Sequence, residues 1–215
     1  MKDYKLQDYS FKKKPIYDFI KRVIDIVFAL LVLILFSWMF LILAVIIKAN
    51  DKGPVFFAHK RVGKKGREIR ILKFRTMVTN AEELIKSFTP EQMEEYKKNF
   101  KLEDDPRITK VGKFLRKTSL DEFPQFINLL KGDITLIGPR PVLEEETQLY
   151  GEYRELLLSV KPGVTGIWAA NGRSHVEYQQ RIDMELYYVC KRNFWLDIKI
   201  FFKTIVSVFK QEGAK

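Results

Sequence analysis

The sequence predicts an α+β fold: a mainly helical domain with one small β-hairpin, preceded by a membrane-inserted helix. Three observations lead there. Ile26 to Ile47 is apolar and carries no charged residue; at about 1.5 Å per residue it can cross a hydrocarbon core of about 30 Å. Val55–Val62 and Glu68–Phe74 read as two strands closed by the Gly63–Gly66 loop. Most of the remaining chain has helical spacing.

At 215 residues the chain fits an appendage, residues 1–50, and one domain, residues 51–215. A charged fraction of 30% rules out a polytopic membrane protein, while 47% hydrophobic residues suffice for a core. A net charge of +11 and a pI near 9.6 imply anionic partners: nucleic acid, phosphorylated metabolites or acidic lipid headgroups. The lone cysteine, Cys190, excludes an intrachain disulfide, and the two distant histidines, His59 and His175, leave no Cys/His zinc constellation.

Lys21 and Arg22 precede Asp25 by four and three residues, so the three can meet at the mouth of the apolar helix. Basic residues flank that helix on both sides, Lys12–Lys14 before it and Lys48 and Lys52 after it. Length therefore favours a span, and symmetric charge favours a segment that enters and leaves by one face. Ser37, near the midpoint, can bond back to a carbonyl one turn earlier and bend the helix. After the hairpin comes a polar helical region split at Pro90, then a basic amphipathic helix in "ITKVGKFLRKT". "GDITLIGPRP" reads as a loop, "VLEEETQLYGEYRELLLSV" as a helix, and "KPGVTGIWAANGRS" as a long Gly-rich loop. Helices at His175–Arg192 and Phe194–Gln211 finish the chain. The last mixes aromatics with lysines, which suits an interfacial amphipathic helix and a core helix about equally.

The chemistry concentrates in "RKTSLDEFPQFINLLKGD". Ser119-x-x-Glu122 matches a capping box, an ordinary structural use of an acid. Pro124 opposes it, because a cap at Ser119 would put proline at the fifth helical position. A helix starting at Leu120 or Asp121 and ending at Gly132 fits better, with Phe123, Phe126, Ile127 and Leu130 toward the core. Asp121 and Glu122 then stand at the positive end of a helix with Arg116 close upstream, both of which favour ionised carboxylates. An ionised aspartate can ligate a divalent cation or attack phosphorus. Lys73 and Arg75 alternate on a strand and so share a face; Arg140 is held between Pro139 and Pro141; Arg173 follows Asn171-Gly172. Each alone is more often a solvated charge. Together, without a Gly-rich phosphate loop, they suggest a diphosphate held by side chains and Mg²⁺.

"GPVFFAHKRVGKKGREIRILKFRTM", "DPRITKVGKFLRKTSLDEFPQFINLLKGDITLIGPRPV" and "KPGVTGIWAANGR" resemble, in order, the signature blocks of the bacterial sugar transferases. The likeness is to the short form of the monotopic phosphoglycosyl transferases, a catalytic core with one membrane helix. It implies transfer of a sugar-1-phosphate from a UDP-sugar to undecaprenyl phosphate, with Mg²⁺ as cofactor and UMP released, at the cytoplasmic face of the bacterial inner membrane. It further implies that Asp121 is the nucleophile and Glu122 a Mg²⁺ ligand. Lys73 and Arg116 would contact phosphate, and Arg75, Arg140, Arg173 and Glu185 are candidate substrate contacts. Anionic membrane lipids are expected partners and nucleic acid is not. The resemblance also implies a re-entrant helix, although Ser37-Trp38 stands where relatives have Ser-Pro, and Glu185 stands where they have aspartate. The competing reading is a membrane-anchored basic module without catalysis; it predicts neither an acidic dyad nor Mg²⁺ dependence.

Overall fold

A computed structural model describes residues 4–5, 8–99, 102, 104–171 and 176–209. The apolar stretch forms two helices, α1 (Pro15–Leu35) and α2 (Ser37–Asp51), bent by 62° at Phe36. No single helix among the described residues is long and apolar enough to cross a membrane; the bent pair together is. The bend forms without proline. Phe36 leaves helical geometry (φ −104°, ψ 12°), and the Ser37 hydroxyl donates to the Ile34 carbonyl at 2.9 Å, the back-bond expected of this serine. One side of the pair is packed: Ala29 meets Ile69, Ile71, Leu129 and Ile134, and Leu43 and Ile47 meet Phe74 and Leu115. The other side leaves Phe19, Leu31, Ile34, Trp38, Leu41 and Val45 exposed, a larger apolar face than proteins normally leave in water.

Strands β1 (Phe56–Val62) and β2 (Glu68–Phe74) form the expected antiparallel hairpin, with Phe57 opposite Lys73 and His59 opposite Ile71. The polar region divides at Pro90 into α3 (Ala81–Leu84) and α4 (Pro90–Asn99). The basic helix is α5 (Lys110–Thr118), capped by the Thr109 hydroxyl, which accepts from the Gly112 N–H at 2.9 Å. Next come α6 (Gln125–Lys131), β3 (Thr135–Ile137), α7 (Glu144–Gln148), α8 (Arg154–Leu157), β4 (Gly163–Thr165) and α9 (Ile167–Ala170). The long helices α10 (Tyr178–Lys191) and α11 (Phe194–Phe209) follow.

Four sequence expectations need correction. "GDITLIGPRP" and the Gly-rich loop are not only loops: β3 and β4 pair in parallel, Thr135 with Gly163 and Ile137 with Thr165. Glycine permits this, because a Cβ on Gly163 would lie 2.2 Å from the Gly138 nitrogen. The helix expected after Val142 is broken into α7 and α8 at Gly151, which has φ +52°. Helix α6 starts at Gln125, after a 3-10 turn over Leu120–Glu122, with Pro124 as its cap residue. Phe123, Phe126 and Leu130 do pack against the core as expected, half-buried like Ile127, and the most buried positions are Gln125, Asn128 and Leu129. Finally, Lys21, Arg22 and Asp25 do not pair with one another. Lys21 and the Tyr17 hydroxyl both donate to Asp197, each at 2.7 Å. Arg22 donates to the Leu129 and Leu130 carbonyls, and Asp25 accepts from the Thr135 hydroxyl and the Leu136 N–H. All three tie α1 to the rest of the chain.

Helix α11 combines both sequence readings. Ile200 is buried and Phe201 meets Phe28 edge-on, yet Trp195 and Phe202 are exposed beside Lys199 and Lys203.

Candidate active site

Two connections bring the hairpin and the dyad together. The Asn128 side chain accepts from the Leu72 N–H (2.9 Å) and donates to the Arg70 carbonyl (2.7 Å), so α6 completes the edge of β2. Its amide also donates to Asp133. Helix α5 is drawn onto the end of β2 at Gly112, where a Cβ would lie 2.0 Å from the Thr76 carbonyl oxygen. At the end of α5, Ser119 takes a left-handed conformation (φ 58°), which only a few non-glycine residues adopt, and turns the chain into the dyad. Ser119 makes no side-chain cap bond there, so the capping-box reading fails.

The Lys73 ammonium lies 2.7 Å from a Glu122 carboxylate oxygen and 3.9 Å from one of Asp121. Asp121 is buried, whereas the Glu122 side chain is 41% exposed. The two acids therefore face different surroundings, as adjacent positions on a helical turn should. Burial pushes the Asp121 carboxyl up to about 6; Lys73 opposes this, Glu122 adds to it, and Arg116 opposes it further. The helix-end and arginine effects expected to hold Asp121 well ionised are thus outweighed by desolvation.

Arg116 donates through Nε to the Thr76 hydroxyl at 3.0 Å, which fixes its guanidinium near Asp121. Behind it is a group that sequence reading missed, the buried Asp105–Arg107 pair, with an oxygen-to-nitrogen distance of 2.6 Å. Arg107 also stacks between the Phe88 and Tyr96 rings, at 5.3 and 5.0 Å. The signal was the acid two residues before the arginine in "DPR".

Lys73 and Arg75 do not reach the same place. The strand and its alternation stop at Phe74, and Arg75 packs against Gly53 and Thr79. Arg140 is close enough to feel Glu122 and, with Lys73, acts on His59; it is stacked on the Trp168 ring at 5.0 Å, with Arg181 on that ring at 5.1 Å. Arg61 and Arg181 each approach Glu146 at 3.5 Å. Neither Arg61, Arg181 nor Trp168 was singled out from the sequence. His59 registers the resulting field: burial, then Arg61, Lys73 and Arg140, hold its imidazole down at about 4, so it is neutral at physiological pH. Glu185 is wholly buried behind Arg140, accepting from its backbone N–H at 3.1 Å, and burial pushes its carboxyl up to about 7. Arg173 lies outside the described residues.

Among the described residues no group of three or more His, Cys, Asp or Glu side chains forms a protein-only metal cage. The dyad offers two carboxylates, one of them open to solvent. That fits Mg²⁺, which commonly takes one or two carboxylates and completes its shell with substrate phosphates and water.

A family model described as bacterial sugar transferase matches residues 16–211. The chain is 43% identical over 199 residues to the undecaprenyl-phosphate galactose phosphotransferase of Salmonella typhimurium, covering 91% of this chain and 42% of that protein. It is 40% identical over 204 residues to the exopolysaccharide production protein ExoY of Sinorhizobium fredii, covering 94% of this chain and 90% of that protein. Identity to the UDP-N-acetylgalactosamine-undecaprenyl-phosphate N-acetylgalactosaminephosphotransferase of Aeromonas hydrophila is 39%, covering 96% of this chain and 47% of that one. The chain thus spans less than half of several curated relatives and nine tenths of others.

Proposed function

The chain belongs to the bacterial sugar transferase family, and on that premise we propose that it moves a sugar-1-phosphate from a UDP-sugar to undecaprenyl phosphate, releasing UMP. The reaction takes place at the cytoplasmic face of the bacterial cell membrane, with α1 and α2 as a re-entrant pair. The observation that carries this reading is a buried carboxylate, Asp121, beside an exposed one, Glu122, with both facing the Lys73 ammonium.

An Asp121 oxygen attacks the β-phosphorus of the donor. The new oxygen–phosphorus bond forms as the bond to the bridging oxygen breaks, and UMP leaves with that electron pair. A phosphate oxygen of the acceptor then attacks the same phosphorus. The aspartyl bond breaks, the carboxylate is regenerated, and the sugar remains on a lipid-linked diphosphate. A carboxyl titrating near 6 is about 90% ionised at pH 7 while its oxygen is more basic than that of an ordinary aspartate. Lys73 and Arg116 oppose the negative charge that builds on phosphorus. Arg140, with Arg61 and Arg181 beside it, supplies positive potential for the rest of the donor. Glu122, with Asp121, would hold Mg²⁺, which when bound neutralises charge on the diphosphate.

The test is Asp121→Asn with UDP-sugar and polyprenyl phosphate. UMP release should be lost, and wild type but not the variant should yield protein carrying sugar phosphate after a rapid quench. UMP release near the wild-type rate by the variant would overturn the assignment.

A further inference from the structure

Away from the dyad, at the other end of α6, a cavity of about 90 Å³ opens where α1 meets the rest of the chain. Lys21, Arg22, Lys64, Lys161 and Arg192 contribute five cations to its wall; Asp18 and Asp25 are the two acids. Most of these charges are engaged. Lys21 pairs with Asp197, Arg192 approaches Asp18 at 3.4 Å, and both Asp25 oxygens accept hydrogen bonds from β3. The Lys64 and Lys161 ammonium groups have no hydrogen bond or ion pair among the described residues. They come from two separate loops, the hairpin turn and the segment entering β4, and both face the same space. Lys161 is half-buried, and burial together with Arg22 and Lys64 lowers its ammonium from the ordinary lysine value. An anion in the cavity would relieve that repulsion.

Position narrows the ligand. Asp25 is the last charged residue before the apolar run, so the cavity lies level with the start of the exposed apolar face of α1. We propose that this cavity binds a phosphate-class oxyanion, the headgroup phosphate of an anionic membrane lipid, through Lys161, Lys64 and the free edge of Arg22. Arg22 already spends two N–H groups on the Leu129 and Leu130 carbonyls at the C-terminus of α6. A bound phosphate would therefore be one residue removed from α6, the helix that follows the dyad turn.

The full chain in an uncharged maltoside detergent is titrated with dioctanoyl phosphatidylglycerol, dioctanoylglycerol and inorganic phosphate, and binding is read by calorimetry. The phosphatidylglycerol should bind, the neutral diacylglycerol should not, and Lys161→Gln and Lys64→Gln should each weaken binding by about tenfold, the worth of one charge-assisted hydrogen bond. Lys161→Arg should recover it. Lys64 is exposed, so its variant keeps the test readable if Lys161→Gln misfolds. The same lysine dependence with inorganic phosphate but not with the lipid would keep the oxyanion site and assign it to a soluble phosphate. Equal binding by wild type and both glutamine variants, or binding of the neutral diacylglycerol equal to that of the charged lipid, would overturn the proposal. The readout needs no turnover, so it stands apart from the proposed transferase activity.

Discussion

Replacing Lys73 with methionine should move the acid limb of catalysis, not merely lower the rate. The ammonium lies 3.9 Å from Asp121 and is the largest influence holding that carboxyl down against burial. An opposite charge at such a distance shifts a carboxylate by about 1–3 pH units. The low end applies, because Lys73 is 31% exposed and shares its charge with Glu122 at 2.7 Å. Asp121 should then titrate about 1 unit above its wild-type value of about 6. Its ionised fraction at pH 7 falls from about 90% to about 50%. The lost phosphate contact should separately lower the high-pH plateau by about 10- to 100-fold. The assay is single-turnover UMP release from UDP-sugar without acceptor, so that titration of the lipid phosphate does not enter. A limb that stays in place or moves to lower pH while the plateau falls would show that Lys73 serves substrate alone and does not control Asp121.

Asp121→Asn should stabilise the protein while removing activity. The wild-type carboxyl binds its proton more tightly folded than unfolded, so its stability contribution is fully present below about pH 4 and is lost as pH rises through about 6. The variant should therefore melt higher at pH 7–8, by an amount equivalent to about 1–3 kcal/mol, with the difference vanishing near pH 4. Asn128→Ala removes the side chain bridging α6 to β2 and should cost about 2–4 kcal/mol, seen as a lowered melting temperature; an unchanged melting temperature would mean that the two elements hold together without it. Single cysteines at Lys13 and Lys52, in a Cys190→Ser background, should react with an impermeant reagent from the same side of sealed vesicles. Reaction from opposite sides would make α1 and α2 a true crossing.

What the sequence made legible was local. The hairpin, the split at Pro90, the glycine stop at Gly132 and the dyad between Ser119 and Pro124 all follow from neighbours within a few residues. Pairing over distance was not legible. Strands β3 and β4 are three residues each and are joined by two helices, too short to show alternation. Asn128 was hidden by its apolar neighbours, since its partners Arg70 and Leu72 lie on another element. The direction of the Asp121 shift was misjudged for the same reason. Its helical turn and Arg116 could be read locally, whereas its desolvation depends on packing that no short motif records. Arg75 shows the limit of strand periodicity, which ends one residue too early to place it beside Lys73.

The contacts of α1 bear on how this protein can be prepared. Arg22 grips carbonyls at the end of α6, Tyr17 and Lys21 hold α11 through Asp197, and Ala29 sits at zero exposure against the hairpin. Trimming the chain ahead of Pro54 to obtain a detergent-free protein would strip a wall from the interior and leave Asp197 with Tyr188 but without Lys21 and Tyr17, and the Leu130 carbonyl without Arg22. Solubility is better sought by recolouring the outward faces of α1, α2 and α11 with polar side chains than with scissors.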